Sequence, residues 1–430
     1  MTEATAPLDR AAVRALRDEK LDWRFRSIPE RAFGMTTGEF LATGPSLTEF
    51  LGPVLTLDEP ALDHNLRTMA EWCAQRGVLL APHGKTTMAP RLFERQLDHG
   101  AWGITAATAG QLRVYRAFGL RRVLLANQLV DPQALRWLSG ELDADPGFDC
   151  ACWVDSLRGV RLMDEALTGR RPLDVLVELG APGGRTGARG VEESVEIARA
   201  VAASPKLRLV GVAGYEAAIA RSTDPSALET VDAYLGDVRE LALRLDHDDL
   251  FETEHVLVSC GGSSYFDQVT DALTTDWPTR REVFPVLRSG AYLTHDDGLY
   301  RGMSPLGREH RLTGAESPFQ SAMRIWAQIT SHPEPTLALA TMGRRDVSFD
   351  AGLPEPQVVC ADEGTAPLTG CRVTALADQH AFLDVPADSG LRVGDRIGFG
   401  LSHPCTVFDR WSLIPLVRDD EVVDLIRTFF

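Results

Sequence analysis

Between residues 53 and 287 the chain repeats one alternation eight times, a short run of β-branched and leucine residues followed by an amphipathic helical stretch. Strands are predicted at 78–81, 102–106, 123–126, 149–154, 173–178, 207–213, 255–259 and 283–287, with helices such as 58–76, 109–118, 157–167, 191–203 and 227–245 between them. Eight such units in about 240 residues match a (β/α)8 barrel, whereas doubly wound sheets more often hold five or six strands. After about residue 300 the texture changes to short alternating runs broken by Gly and Pro, at 325–330, 357–359, 371–376, 381–384 and 396–400. That is the pattern of an antiparallel β domain. The expected division is an N-terminal extension at 1–50 with a charged helix over 9–19, an α/β barrel at 51–298 and a C-terminal β domain at 299–430.

Composition narrows the function. A net charge of −17 repels phosphate-rich partners, which argues against nucleic acid and against an anionic membrane surface, and leaves a small molecule as the expected partner. No apolar run is long enough to span a bilayer, and the charged first thirty residues do not read as a signal peptide. Seven irregularly spaced cysteines read as reduced thiols, so the expected location is the cytoplasm.

In a barrel the chemistry sits at the C-terminal ends of the strands. The first strand runs into Ala81-Pro82-His83-Gly84-Lys85-Thr86-Thr87, and a lysine at the barrel mouth is partly desolvated, which lowers its pKa and suits it to forming a Schiff base. The fifth strand leads to Gly183-Gly184-Arg185-Thr186-Gly187, where glycines let the backbone approach a planar ligand and Arg185 offers a guanidinium to an anionic oxygen. The seventh leads to Cys260-Gly261-Gly262-Ser263-Ser264, a composition suited to surrounding a phosphate. Tyr215 and Tyr292 follow the sixth and eighth strands, and far along the chain His403 and Cys405 have the spacing of a metal-ligand pair. Each feature alone also fits a plainer role: a solvated lysine, a flexible turn, a packed tyrosine, or a chance His-x-Cys among ten histidines and seven cysteines. Cys150 and Cys152, within a strand, read as core residues.

In combination and in order, His83-Gly84-Lys85-Thr86, Gly184-Arg185-Thr186-Gly187, Gly261-Gly262-Ser263-Ser264 and His403-Pro404-Cys405 resemble the D-serine dehydratase and D-threonine aldolase family. That family is part of the alanine-racemase-like, fold-type III pyridoxal-phosphate enzymes. The resemblance covers roughly residues 50–430. It implies that Lys85 carries pyridoxal 5'-phosphate, that Arg185 lies near its ring, and that Gly261, Gly262, Ser263 and Ser264 hold its phosphate, while His83, Tyr215 and Tyr292 are expected, from their places after the strands, to line the same cofactor site. It also implies zinc, or another divalent metal, on His403 and Cys405, where aldolases usually carry His-x-Asp. The implied function is a lyase for β-hydroxy D-amino acids, zinc-assisted dehydration and deamination to a 2-oxo acid and ammonia, in a homodimer. Retro-aldol cleavage of the D-threonine aldolase type, a non-catalytic pyridoxal-phosphate-binding protein, and a barrel that binds no such cofactor are the alternatives. Where family members commonly continue Lys-Thr-His-Lys, this chain has Lys85-Thr86-Thr87-Met88, and its N-terminal fifty residues exceed what the family core needs. Both departures point to a subgroup of amino-acid deaminases.

Overall fold

The computed structural model describes residues 7–308, 312, 317–361 and 364–430, so the first six residues of the N-terminal extension lie outside it. Eight parallel strands form the barrel: Leu79–Leu80, Ile104–Ala106, Arg122–Gln128, Asp149–Val154, Leu173–Glu178, Leu207–Ala213, His255–Cys260 and Glu282–Leu287. They fall at the eight predicted places, and helices such as Glu59–Arg76, Val191–Ala202 and Pro225–His247 alternate with them. The first and second strands are too short to pair as a ladder. The seam between them is closed by backbone hydrogen bonds from Trp102 N to Leu80 O (2.7 Å) and from Thr105 N to Pro82 O (2.8 Å), with a bridge between His83 and Thr105. Closure therefore falls at the lysine loop.

Strand alternation separates two cores. Inward residues, among them Trp102, Leu124, Ala151, Trp153, Leu176 and Leu257, fill the barrel interior. Outward residues, including Cys150, Cys152, Val175, Val177 and Val258, pack against the helices. Both cysteines are therefore core residues, and burial pushes the Cys150 thiol up to about 12.

A second sheet of ten strands carries the remainder of the chain. Met323–Glu334, Glu355–Ala361, Arg372–Leu376, Ala381–Asp384 and Arg396–Gly400 form where the sequence predicts strands. The hairpin Leu413–Arg418 and Glu421–Arg427 extends it, and Val54–Asp58 inserts into it, antiparallel to Met323–Glu334 and parallel to Leu413–Arg418. That last strand precedes the barrel in sequence but belongs to the other sheet by hydrogen bonding. Its final residue, Asp58, accepts from Ala61 N at 2.8 Å and so caps the first barrel helix. The chain passes from the second sheet into the first barrel helix within a single residue.

The N-terminal segment folds onto this second sheet. Thr36 with Glu39 and Ser46 with Glu49 form capping boxes around two short helical turns. Leu21, Phe25, Ile28, Phe40 and Phe50 pack against Val54, Leu413 and Leu425. The charged helix predicted at 9–19 is α-helical over Arg10–Arg14 and tightens to a 3-10 turn over Ala15–Asp18.

Asn65 joins the two halves. Fully buried, it donates to Leu293 O (3.0 Å) and Gln320 O (2.7 Å) and accepts from Gln320 N (2.8 Å), which fixes the segment leaving the barrel onto its first helix. Asn65→Ala strands these buried groups, so chemical denaturation should show a loss of roughly 2–4 kcal/mol with little change in the far-ultraviolet spectrum.

Candidate active site

A cavity of about 440 Å3 opens at the C-terminal mouth of the barrel, and residues from both sheets line it. Lys85 sits on a 3-10 turn, Gly84–Thr86, directly after the seam. Gly84 is required there, because a Cβ would lie 2.5 Å from the Tyr115 hydroxyl and 2.8 Å from Ile104. Among the described residues the Lys85 amine has no hydrogen bond or ion pair. Burial lowers its pKa from the ordinary 10.5; the charge of Cys405 opposes this, and the cations Arg185 and Arg288 add to it. His83 is held neutral by burial and by the charges of Lys85, Arg288 and Arg185, and its Nδ1 is buried without a partner.

Arg185 reaches the cavity from the glycine-rich loop and lies over the Tyr215 ring, 4.6 Å from its centroid. Burial, first, and the carboxylate of Glu216 raise the Tyr215 phenol above its ordinary range. Gly262 and Ser263 line the cavity. The glycine loop itself is differently engaged than its composition suggests. Glu216, fully buried, accepts from Gly261 N at 3.0 Å and Gly262 N at 2.8 Å, so these two amides already hold a carboxylate. Gly261 adopts φ +103°, a conformation that favours glycine and turns the strand end toward Glu216. Ser263 accepts from Ala291 N (3.2 Å), and Gly261 and Ser264 lie outside the cavity lining.

Tyr292 also lies outside it. The side chain is buried in the outer core beside Phe319, and its hydroxyl accepts from Gln96 Nε2 at 3.2 Å. One turn of 3-10 helix, Ala291–Leu293, rotates it away from the mouth, a rotation that counting from the strand end does not reveal.

The structure adds residues that sequence reasoning missed. Arg288 is buried, donates to the Ser259 hydroxyl (2.5 Å) and to Gly214 O (2.6 Å), and leaves Nε without a partner. Its place directly after the eighth strand was the available signal. Glu178 closes the floor with Gln128 Nε2 donating to it at 2.6 Å. Tyr300 descends from the segment between the sheets, and burial raises its phenol strongly.

His403 and Cys405 do come to the barrel mouth. The Cys405 sulfur and the Thr86 hydroxyl are 3.3 Å apart, so the pair faces the lysine loop. His403 Nδ1 lies 2.5 Å from the Asp350 carboxylate. Hydrogen bonding with Cys405 raises the imidazole to about 9 against the effect of burial. Burial alone would raise the Cys405 thiol, but His403, Thr86 and Lys85 together pull it below its ordinary value. His403 has φ +59°, and Asp296, fully buried, accepts its backbone N–H at 2.8 Å while also accepting from Gly298 N (3.0 Å) and Tyr300 N (2.8 Å). Asp296 thus sets two sides of the mouth.

Profiles of known families match both parts of the chain. Residues 57–278, just over half of it, match the alanine racemase N-terminal domain, and residues 322–417 match a putative serine dehydratase domain. The chain belongs to the alanine-racemase-like family. Within that family it is a pyridoxal-phosphate-dependent lyase. The 3-hydroxy-D-aspartate aldolase of Paracoccus denitrificans (strain Pd 1222) is 25% identical over 375 residues, 85% of this chain and 89% of the relative. The D-threonine aldolase of an Arthrobacter species is 23% identical over 386 residues, 89% and 93% of the two chains. In three dimensions the D-threonine aldolase from Filomicrobium marinum superposes with a TM-score of 0.74 at 25% identity, covering 90% of this chain and 97% of that one. The D-threo-3-hydroxyaspartate dehydratase from Delftia sp. HT23 shares the fold at 0.69 and 19% identity, covering 89% and 99%.

The residues fit pyridoxal phosphate. An unpaired amine with a lowered pKa lines one cavity together with His83 and Arg288, whose buried Nδ1 and Nε have no partner. Glu216 matters to this fit because it fixes the glycine loop. Glu216→Ala should weaken cofactor affinity by roughly tenfold or more, as loss of an orienting partner does, in an absorbance titration with pyridoxal phosphate, without unfolding the protein.

Proposed function

We propose that the chain is a lyase for β-hydroxy D-amino acids and that it catalyses zinc-assisted dehydration and deamination to a 2-oxo acid and ammonia. The observation that carries this reading is the unpaired, pKa-lowered Lys85 facing the His403 and Cys405 pair across one cavity. Lys85 would bind the cofactor, with Arg185 and Tyr215 beside the ring and Ser263 toward the phosphate. When bound, pyridoxal phosphate supplies an electron sink for negative charge at Cα. Lys85 Nζ, once freed and neutral, takes the proton from substrate Cα. His83, neutral and buried, donates or accepts one hydrogen bond without bringing a second positive charge beside the amine.

His403 and Cys405 offer the imidazole and thiolate donors that a borderline-soft ion prefers, with Asp350 orienting the imidazole. Among the described residues no third His, Cys, Asp or Glu joins them, so solvent or substrate would complete the coordination. Zinc held there would act as a Lewis acid on the β-hydroxyl.

A second reading has its own support, since the curated relatives are named as aldolases. In it the proton leaves the β-hydroxyl instead of Cα, and the Cα–Cβ bond breaks. The homodimer and the cytoplasmic location expected from the sequence are carried forward as part of the proposal. So is the division at 1–50, 51–298 and 299–430, with Val54–Asp58 as the strand by which the barrel segment reaches into the second sheet.

D-threonine separates the two chemistries. Dehydration yields 2-oxobutanoate and ammonia, and the aldolase route yields acetaldehyde and glycine; we expect the former, suppressed by a chelator, with acetaldehyde alone overturning the assignment. Lys85→Ala should give a colourless, inactive protein. The lowered pKa of Lys85 also sets a pH dependence. Only the neutral amine attacks an aldehyde, so the rate of reconstitution with pyridoxal phosphate should rise with pH and level off at a midpoint below 10.5, followed by stopped-flow absorbance.

A further inference from the structure

A second cavity, of about 210 Å3, lies away from the barrel mouth where the N-terminal segment, the helix Pro90–Asp98 and the last strand meet. Its charged lining consists of Arg14, Arg17, Arg91 and Arg427 with one carboxylate, Asp424. In a chain with 44 basic and 61 acidic residues, four cations to one anion in one recess run against the overall balance.

The neighbouring pairs absorb that excess except at Arg14. Asp424, nearly buried, is shared between Arg17 and Arg91, each at 3.1 Å. Arg91 also reaches Glu94, which Arg10 holds from its other side, and Arg427 pairs with Glu19 at 3.0 Å. Arg14 makes no hydrogen bond or ion pair among the described residues, although it lines the cavity. Arg10 has a second partner in Asp98, so Arg17, Arg91 and Arg427 are matched by Asp424, Glu94 and Glu19, and Arg14 is the lining cation left without a partner among the described residues.

We propose that this cavity binds a small multivalent oxyanion, a phosphate or short dicarboxylate, held by Arg14, Arg17 and Arg91. Its volume falls below the ~300 Å3 at which sites for larger organic ligands begin, which selects a compact anion over a nucleotide. Guanidinium groups offer paired, planar N–H donors to such oxygens. Val13, Leu16 and Leu425 form the apolar wall that reduces screening by solvent. The bound anion would fasten the N-terminal segment to the helix that follows the lysine loop. The site is independent of the chemistry proposed at the barrel mouth.

The test is isothermal titration calorimetry of the full-length protein loaded with pyridoxal phosphate, in a chloride-poor buffer, with inorganic phosphate and with malonate as separate probes. Saturable binding of at least one probe is expected, accompanied by a rise in melting temperature. The affinity should fall by roughly tenfold or more in Arg14→Ala, from loss of a charge-assisted contact, and should be unchanged in the exposed control Arg158→Ala. Arg14 has no partner to lose, so this variant should fold; Arg17→Ala provides a second reading. Phosphate without malonate identifies a phosphoryl ligand, and the reverse a carboxylate. No saturable heat with either probe, heat abolished by excess pyridoxal phosphate, or affinity untouched by Arg14→Ala and Arg17→Ala would each overturn the proposal.

Discussion

The arrangement at the barrel mouth depends on one buried carboxylate. Asp296 accepts backbone N–H groups from His403 in the β domain and from Gly298 and Tyr300 in the connecting segment. A fully buried carboxylate is tolerable only when its oxygens are saturated with donors, and here the donors come from two parts of the fold. His403 is held with a positive φ, and the same contact sets the start of the short helix that carries Tyr300. The relative placement of the two domains around the cavity is therefore a matter of hydrogen-bond saturation as well as of apolar packing.

The barrel was legible because its signal is periodic. Inward and outward faces of each strand are both buried, so the strands read as continuous apolar runs, and eight such runs leave little choice of architecture. Lys85, Arg185 and Tyr215, on the loops that follow the first, fifth and sixth strands, line the cavity. Tyr292 lies on the 3-10 turn Ala291–Leu293, and that turn carries it into the core. Val54–Asp58 was missed for a different reason. A five-residue run that leads straight into a helix gives no local sign of which sheet it will join, because its partners lie more than 260 residues away.

The glycine loop shows the limit of reading chemistry from composition. Gly-Gly-Ser-Ser at a late barrel strand suggests amides free for phosphate, yet Glu216, three residues beyond the sixth strand end, satisfies the first two of them. Nothing in the loop's own sequence announces that partner. An anionic side chain on these amides fills the same electrostatic role that a ligand would, and it leaves Ser263 and the neighbouring surface for contact. Asp296 was equally invisible as a support, since its role follows from whom it meets across the fold.

The insertion of Val54–Asp58 between Met323–Glu334 and Leu413–Arg418 has a consequence for biosynthesis. On the ribosome this strand emerges before either partner and waits with one edge unpaired until Leu413–Arg418 has been made. The barrel can close meanwhile from contacts between neighbouring units, but the second sheet cannot. The cavity, which needs both, is thus completed last, and a truncated nascent chain would display a formed barrel without a competent mouth.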